Sequence, residues 1–244
     1  MTPEEKFMFD LNGYLLVKNV LTPEEVSELT TAAQLHLPAT NAPGLDRRIR
    51  ISNLSKPFQN LIDHPNILPY LITIIESKFR LDHDYSIFMT KDAPGGNLHG
   101  GEGHEGDHWY RYRDGVMKNG LTVVTFFLSP AKAGDGGFLC VPGSHKSNFV
   151  ESIPHEVLTQ KRHAQYVIQP EVEAGDALIF TEALVHGTAT WMADHERQAL
   201  LYKFSPGHSA WAQNYPKASD YTDLTERQRR ILEPPSVGSR LDVV

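Results

Sequence analysis

A second cysteine, a basic leader, a long apolar run and an excess of positive charge are all missing from this chain of 244 residues. With Cys140 alone in the apolar run FLCVP, no internal disulfide can form, and its thiol reads as a buried side chain rather than a nucleophile. No stretch approaches the roughly 20 apolar residues of a membrane helix. The opening MTPEEKFMFD is acidic where a secretion signal would be basic, so a cytoplasmic protein without a membrane partner is expected. A net charge of -7 argues against a nucleic-acid partner, because binding the phosphate backbone draws on clustered Lys and Arg. Small molecules are the expected partners. The one compact basic group, Arg47, Arg48 and Arg50 in LDRRIRIS, could hold an anionic substrate but reads first as a solvated face.

What is present has two textures. Thr22-Pro23-Glu24-Glu25 combines a capping hydroxyl, a proline at the first helical position and a glutamate at the third, and predicts a helix through EVSELTTAAQLH. A second helix is expected over Pro65–Ser77, where Ile67, Leu68, Leu71, Ile72 and Ile75 recur at helical spacing. From Asp84 onward come short β-prone runs, YSIFMTK, LTVVTFFLS, GFLCVPG, YVIQPEV, ALIFTEA and ALLYKFSPG, separated by Gly, Pro and Asp turns. No helical pattern alternates with them, which disfavours a parallel sheet and leaves a sandwich or barrel. Thr225-Glu226-Arg227-Gln228 could cap a last short helix. The expectation is one domain: helical support over about 1–80, a β core over about 84–206 and a helical tail over about 216–244.

Three places carry candidate chemistry: His99 in NLHGG, His186 in ALVHGTA and Arg197 in DHERQALLYKF. Imidazole is a good ligand for Fe(II), and a metal held by few protein ligands keeps positions open. A guanidinium matches a carboxylate with two parallel hydrogen bonds, which suits Arg197 to a dicarboxylic co-substrate. Thr188, two residues after His186, shares its face if the segment is extended.

The chain resembles the phytanoyl-CoA dioxygenase family of Fe(II)/2-oxoglutarate oxygenases. The resemblance runs through FDLNGYLLVKNVLTPEEVSEL, GDGGFLCVPGSHKSN, AGDALIFTEALVHGT and the arginine eleven residues after His186. It implies a double-stranded β-helix core of the jelly-roll, cupin-like kind, with Fe(II), 2-oxoglutarate and O₂ as cofactor and co-substrates. It also implies that His186 binds iron while Thr188 and Arg197 bind 2-oxoglutarate. Hydroxylation of a small-molecule metabolite, with release of succinate and CO₂, is the activity implied.

The family's first ligand motif is leucine, histidine, any residue, aspartate, and this chain reads Leu98-His99-Gly100-Gly101. His99 is preferred as the first ligand over His104 and His108, because MTKDAPGGN before it resembles the family's approach to that ligand. Three readings of Gly101 stay open. A carboxylate of the following loop, Glu102 or Asp107, completes the iron site; or the place is vacant and takes chloride, as in the iron/2-oxoglutarate halogenases; or iron chemistry is lost. The last would leave a non-catalytic, cupin-like binding module. Of the remaining candidates, His145 in PGSHKSN reads as a turn or supporting residue, and His195 as exposed or packed near Arg197. Trp109, Tyr110 and Tyr112 read equally as the wall of a substrate pocket or as ordinary hydrophobic cover.

Overall fold

A computed structural model describes residues 1–37, 44–101 and 106–244. In chain order the elements begin with α1 (Pro3–Asn12), β1 (Tyr14–Val17), α2 (Pro23–His36), β2 (Leu45–Ile49), α3 (Lys56–Asn60) and α4 (Leu68–Ile74). Strands β3 (Arg80–Met89), β4 (Gly96–His99), β5 (Tyr110–Arg113), β6 (Val116–Asn119), β7 (Thr122–Phe127) and β8 (Gly137–Cys140) follow. The chain closes with α5 (His155–Leu158), β9 (Ala177–Thr181), β10 (His186–Ala189), β11 (Arg197–Ser205) and α6 (Glu226–Ile231). Among the described residues, no helix is long and apolar enough to cross a membrane.

The expected capping box at Thr22 is present: its hydroxyl accepts from the Glu25 N–H while the Glu25 carboxylate accepts from the Thr22 N–H. An equivalent box at Thr225 starts α6. The helix expected over Pro65–Ser77 is shorter, because residues 65–67 form a turn and Pro69 lies in the first turn of α4. The first 80 residues are more than helical support, since they also supply β1 and β2, the two edges of the main sheet. YVIQPEV, expected as a strand, makes only the isolated bridges Cys140–Ile168 and Ala131–Val172; Pro170 between them has no N–H to donate.

The main sheet has the order β1-β9-β7-β11-β3-β2, and the smaller facing sheet the order β4-β10-β8, with every pairing antiparallel. This is a mainly β fold with a double-stranded β-helix core. Strand periodicity sorts the side chains of the main sheet. Val124, Phe126, Ile179, Leu200, Tyr202 and Phe204 pack with the helices, against residues such as Leu29, Phe58 and Leu71. Val123, Phe127, Leu178, Phe180, Ala199 and Leu201 fill the opposite face. With both faces covered, β7 and β9 are buried at every position. That explains why these runs read as continuous apolar segments rather than as alternating ones.

Candidate functional site

The inward phase of two main-sheet strands runs out into polar residues. On β11, Arg197 precedes Ala199 and Leu201 in the inner phase, and Lys203 follows them; on β9, the Leu178 and Phe180 phase continues to Glu182 just past the strand end. From Glu182 the chain crosses to the smaller sheet, where His186 opens β10 directly opposite His99 at the end of β4. Residues from both sheets therefore line one cavity of about 370 Å³, among them His99, His108, Glu182, His186, Thr188 and Arg197.

The two histidines are oriented by their own backbones. The Nδ1 atoms of His99 and His186 lie 3.0 Å from the Asn97 carbonyl and 2.8 Å from the Leu184 carbonyl, so each Nδ1–H donates and each Nε2 is left as a lone-pair donor. The rings are 4.5 Å apart between centroids. Phe180, 4.8 Å from the His186 ring, and Phe138, stacked on it at 6.0 Å, fix its position. Burial pulls the His186 imidazole down to about 4, with the neighbouring His99 adding to the effect, so it is neutral at physiological pH. Ligand atoms of His99, Glu182 and His186 all lie within 4.8 Å of one another, a convergence that could hold a metal ion.

Glu182 is a residue that sequence reasoning missed. Burial pushes its carboxyl up, but the Lys203 ammonium outweighs that and holds it ionised, well below the usual carboxylate range. Lys203 Nζ lies 2.5 Å from its Oε1, and the Nε2 atoms of His108 and His186 each lie 3.8 Å from its Oε2. The signal in the sequence was the strand phase of ALIFTE, which puts a carboxylate where a core side chain would otherwise stand.

Arg197 is 3% exposed, and burial pulls its guanidinium down to about 10, still cationic at neutral pH. Its Nη1 donates to the Met89 sulfur at 3.3 Å, and its Nε has no hydrogen-bond partner among the described residues. A buried guanidinium served, among the described residues, by a sulfur atom alone suits an incoming carboxylate. Thr188 shares the cavity and the face of His186, as its spacing implies.

The loop candidates fare differently. Glu102 and His104 lie outside the described residues. Asp107 is not in the converging group: Ser205 and Ser209 donate their hydroxyls to its two oxygens at 2.8 and 2.7 Å. His108 enters the cavity beside Glu182, outside the group of three. His145 is buried under α1, where its Nε2 is 3.1 Å from the Asp10 carbonyl and its ring meets Tyr110 edge-on. His195 packs on Trp191, and its Nε2 is 3.0 Å from the Pro130 carbonyl. Tyr110, whose hydroxyl donates to Asp10, and Tyr112 line a separate cavity of about 490 Å³ beside α1 that has no histidine in its wall. Arg48 pairs with Asp46 and Arg50 with Asp220, while Arg47 lies over the Tyr85 ring at 3.9 Å and lines the histidine cavity.

None of the curated proteins compared matches this sequence. Among solved structures, HygX from Streptomyces hygroscopicus with nickel and 2-oxoglutarate bound is similar at 24% identity, covering 90% of this chain and 93% of that one, with a TM-score of 0.78. The 2-oxoglutarate-dependent epimerase SnoN of nogalamycin biosynthesis is similar at 16% identity, covering 84% of this chain and 83% of that one, with a TM-score of 0.65. The carbocyclase SnoK of the same biosynthesis is similar at 15% identity, with 85% of each chain covered and a TM-score of 0.66. These likenesses establish the fold. The model of the family described as Phytanoyl-CoA dioxygenase (PhyH) matches residues 9–199, most of the chain, and the chain belongs to that family.

Proposed function

We propose that the protein is an Fe(II)- and 2-oxoglutarate-dependent oxygenase that hydroxylates a small molecule. The observation that carries this reading is Arg197, a buried cation with no acidic partner among the described residues, which lines the same cavity as two facing imidazoles. The donor set fits the cofactor, since imidazole and carboxylate both suit Fe(II). His99 and His186 would hold the metal. Arg197 and Thr188 would hold the far carboxylate of 2-oxoglutarate, by a two-bond fork and a hydroxyl respectively. Fe(II), 2-oxoglutarate and O₂ bound there supply the oxidising power, with release of succinate and CO₂.

The chain's own residues do the positioning. The Asn97 and Leu184 carbonyls hold each imidazole as the Nδ1–H tautomer and aim Nε2 into the cavity. Phe138 and Phe180 limit water around His186, and a drier surrounding strengthens the attraction of Arg197 for a carboxylate. A metal and 2-oxoglutarate in HygX agree with this assignment. The test is anaerobic addition of Fe(II) and 2-oxoglutarate, read by the visible absorption of their complex. Arg197→Ala is expected to need tens to thousands of times more 2-oxoglutarate, the equivalent of about 2 to 5 kcal/mol for a desolvated charge pair. Unchanged 2-oxoglutarate affinity in that variant would overturn the assignment.

A further inference from the structure

The resemblance aligns Gly101 with the aspartate of the family's first motif, and the structure shows what the glycines here do. Gly100 and Gly101 both adopt φ of +105°, a conformation that side chains oppose. A Cβ on Gly100 would stand 2.4 Å from the Leu184 carbonyl oxygen and 3.1 Å from that of Glu182; the Gly101 N–H donates to the Ala183 carbonyl at 3.0 Å. The two glycines thus let the stretch after His99 lie backbone to backbone against residues 182–184. That contact is where the Glu182 side chain enters the cavity. A carboxylate at position 101 would meet Val150, whose Cγ1 is 3.2 Å from an ideal Cβ there.

We infer that the carboxylate ligand has moved from the position two residues after the first histidine to the position four before the second, so that His99, Glu182 and His186 form the metal site. This rests on the metal-dependent reading above and names the ligand set of that site. The two oxygens of Glu182 have different neighbours. Oε1 faces Lys203 Nζ at 2.5 Å, whereas Oε2 is 3.8 Å from His186 Nε2, too far for a hydrogen bond. That spacing falls between the about 3 Å and about 4.2 Å expected for adjacent and opposite ligands each about 2.1 Å from one ion. Lys203 is a positioning residue: it neutralises the far oxygen and directs the near one. With three protein ligands the site has no vacant carboxylate place for a halide, which favours oxygen transfer over halogenation.

The test titrates the full-length, metal-stripped protein with Co(II), read by visible absorption and calorimetry. The wild type is expected to take one Co(II), with a spectrum that chloride leaves unchanged even when 2-oxoglutarate is present. Glu182→Gln is expected to weaken Co(II) by more than about 100-fold, since losing only an outer hydrogen-bond partner costs about 10- to 100-fold. Because that variant leaves Lys203 buried without its anion, Glu182→Gln/Lys203→Met removes both charges. Circular dichroism of the double variant should match the wild type while its Co(II) affinity stays as low as in Glu182→Gln. Wild-type affinity in the double variant, or a chloride-dependent spectrum in the wild type, overturns the ligand assignment. Failure of the underlying functional reading looks different: His186→Ala would then bind Co(II) as well as the wild type does.

Discussion

His99 and His108 both reach the cavity, and the ligand atoms that converge there are those of His99, Glu182 and His186, with the His99 ring oriented by the Asn97 carbonyl of its own strand. His99→Ala is therefore expected to lose most of its metal affinity, by more than about 100-fold, and His108→Ala no more than an outer-partner effect of about 10- to 100-fold. Calorimetry with Co(II) distinguishes them; the reverse order would move the first ligand to His108. Cys140 makes a second prediction. Burial pushes its thiol up to about 12, and the thiolate is the reactive form, so iodoacetamide at pH 8 should leave the folded protein unlabelled and alkylate it once denatured. Labelling without denaturant would contradict the packing described. Strand spacing made the shared face of His186 and Thr188 legible, whereas Arg197, on the separate strand β11, was singled out by the eleven-residue spacing of the family resemblance. Glu182 was not legible by spacing from His99, because the contact that brings it in runs between backbones brought together by Gly100 and Gly101.

Asp82 on β3 shows how an element far from the cofactor residues can shape the cavity. Its carboxylate accepts from the N–H groups of Trp211 and Ala212 at 2.9 Å each and pairs with the buried Arg80 at 3.1 Å. Trp211 in turn lines the histidine cavity, so β3 anchors part of its wall. Asp82→Ala leaves Arg80 without its partner and is expected to cost about 3 to 5 kcal/mol, measurable by chemical denaturation. Burial pushes the Asp82 carboxyl up, but His83 and the two backbone donors outweigh it, and its folded value lies below the ordinary 3.8. The stability it contributes is therefore fully present above the unfolded value and falls away as pH drops through the folded one. Below about pH 4 the wild type should lose stability more steeply than Asp82→Asn. Equal slopes would remove Asp82 from the acid response. At this scale the helix starts at Thr22 and Thr225 and most of the apolar strands were legible, as local chemistry sets both. Strands β1 and β2 were not, because the brevity of YLLV and the charges of LDRRI fit a strand only once a neighbouring edge is there to pair with.

Across the whole molecule, the group that converges in the cavity joins two sheets that otherwise meet through side-chain packing. His99 and His186 belong to the smaller sheet, while Arg197 lies on β11 of the main one and Glu182 just past the end of β9. An ion and a dicarboxylate bound across that seam would act as a rivet between the two halves of the barrel. Ligands that bind only the folded form raise its stability by mass action, about 2.7 kcal/mol at a hundredfold excess over Kd. Saturating Co(II) with 2-oxoglutarate should accordingly raise the melting temperature, and Arg197→Ala should lose the 2-oxoglutarate part of that rise. No change on adding both would mean that the seam binds neither. The rivet has a practical use: any molecule that settles beside it should tighten the same seam, so a melting curve could find the substrate before any product has been detected.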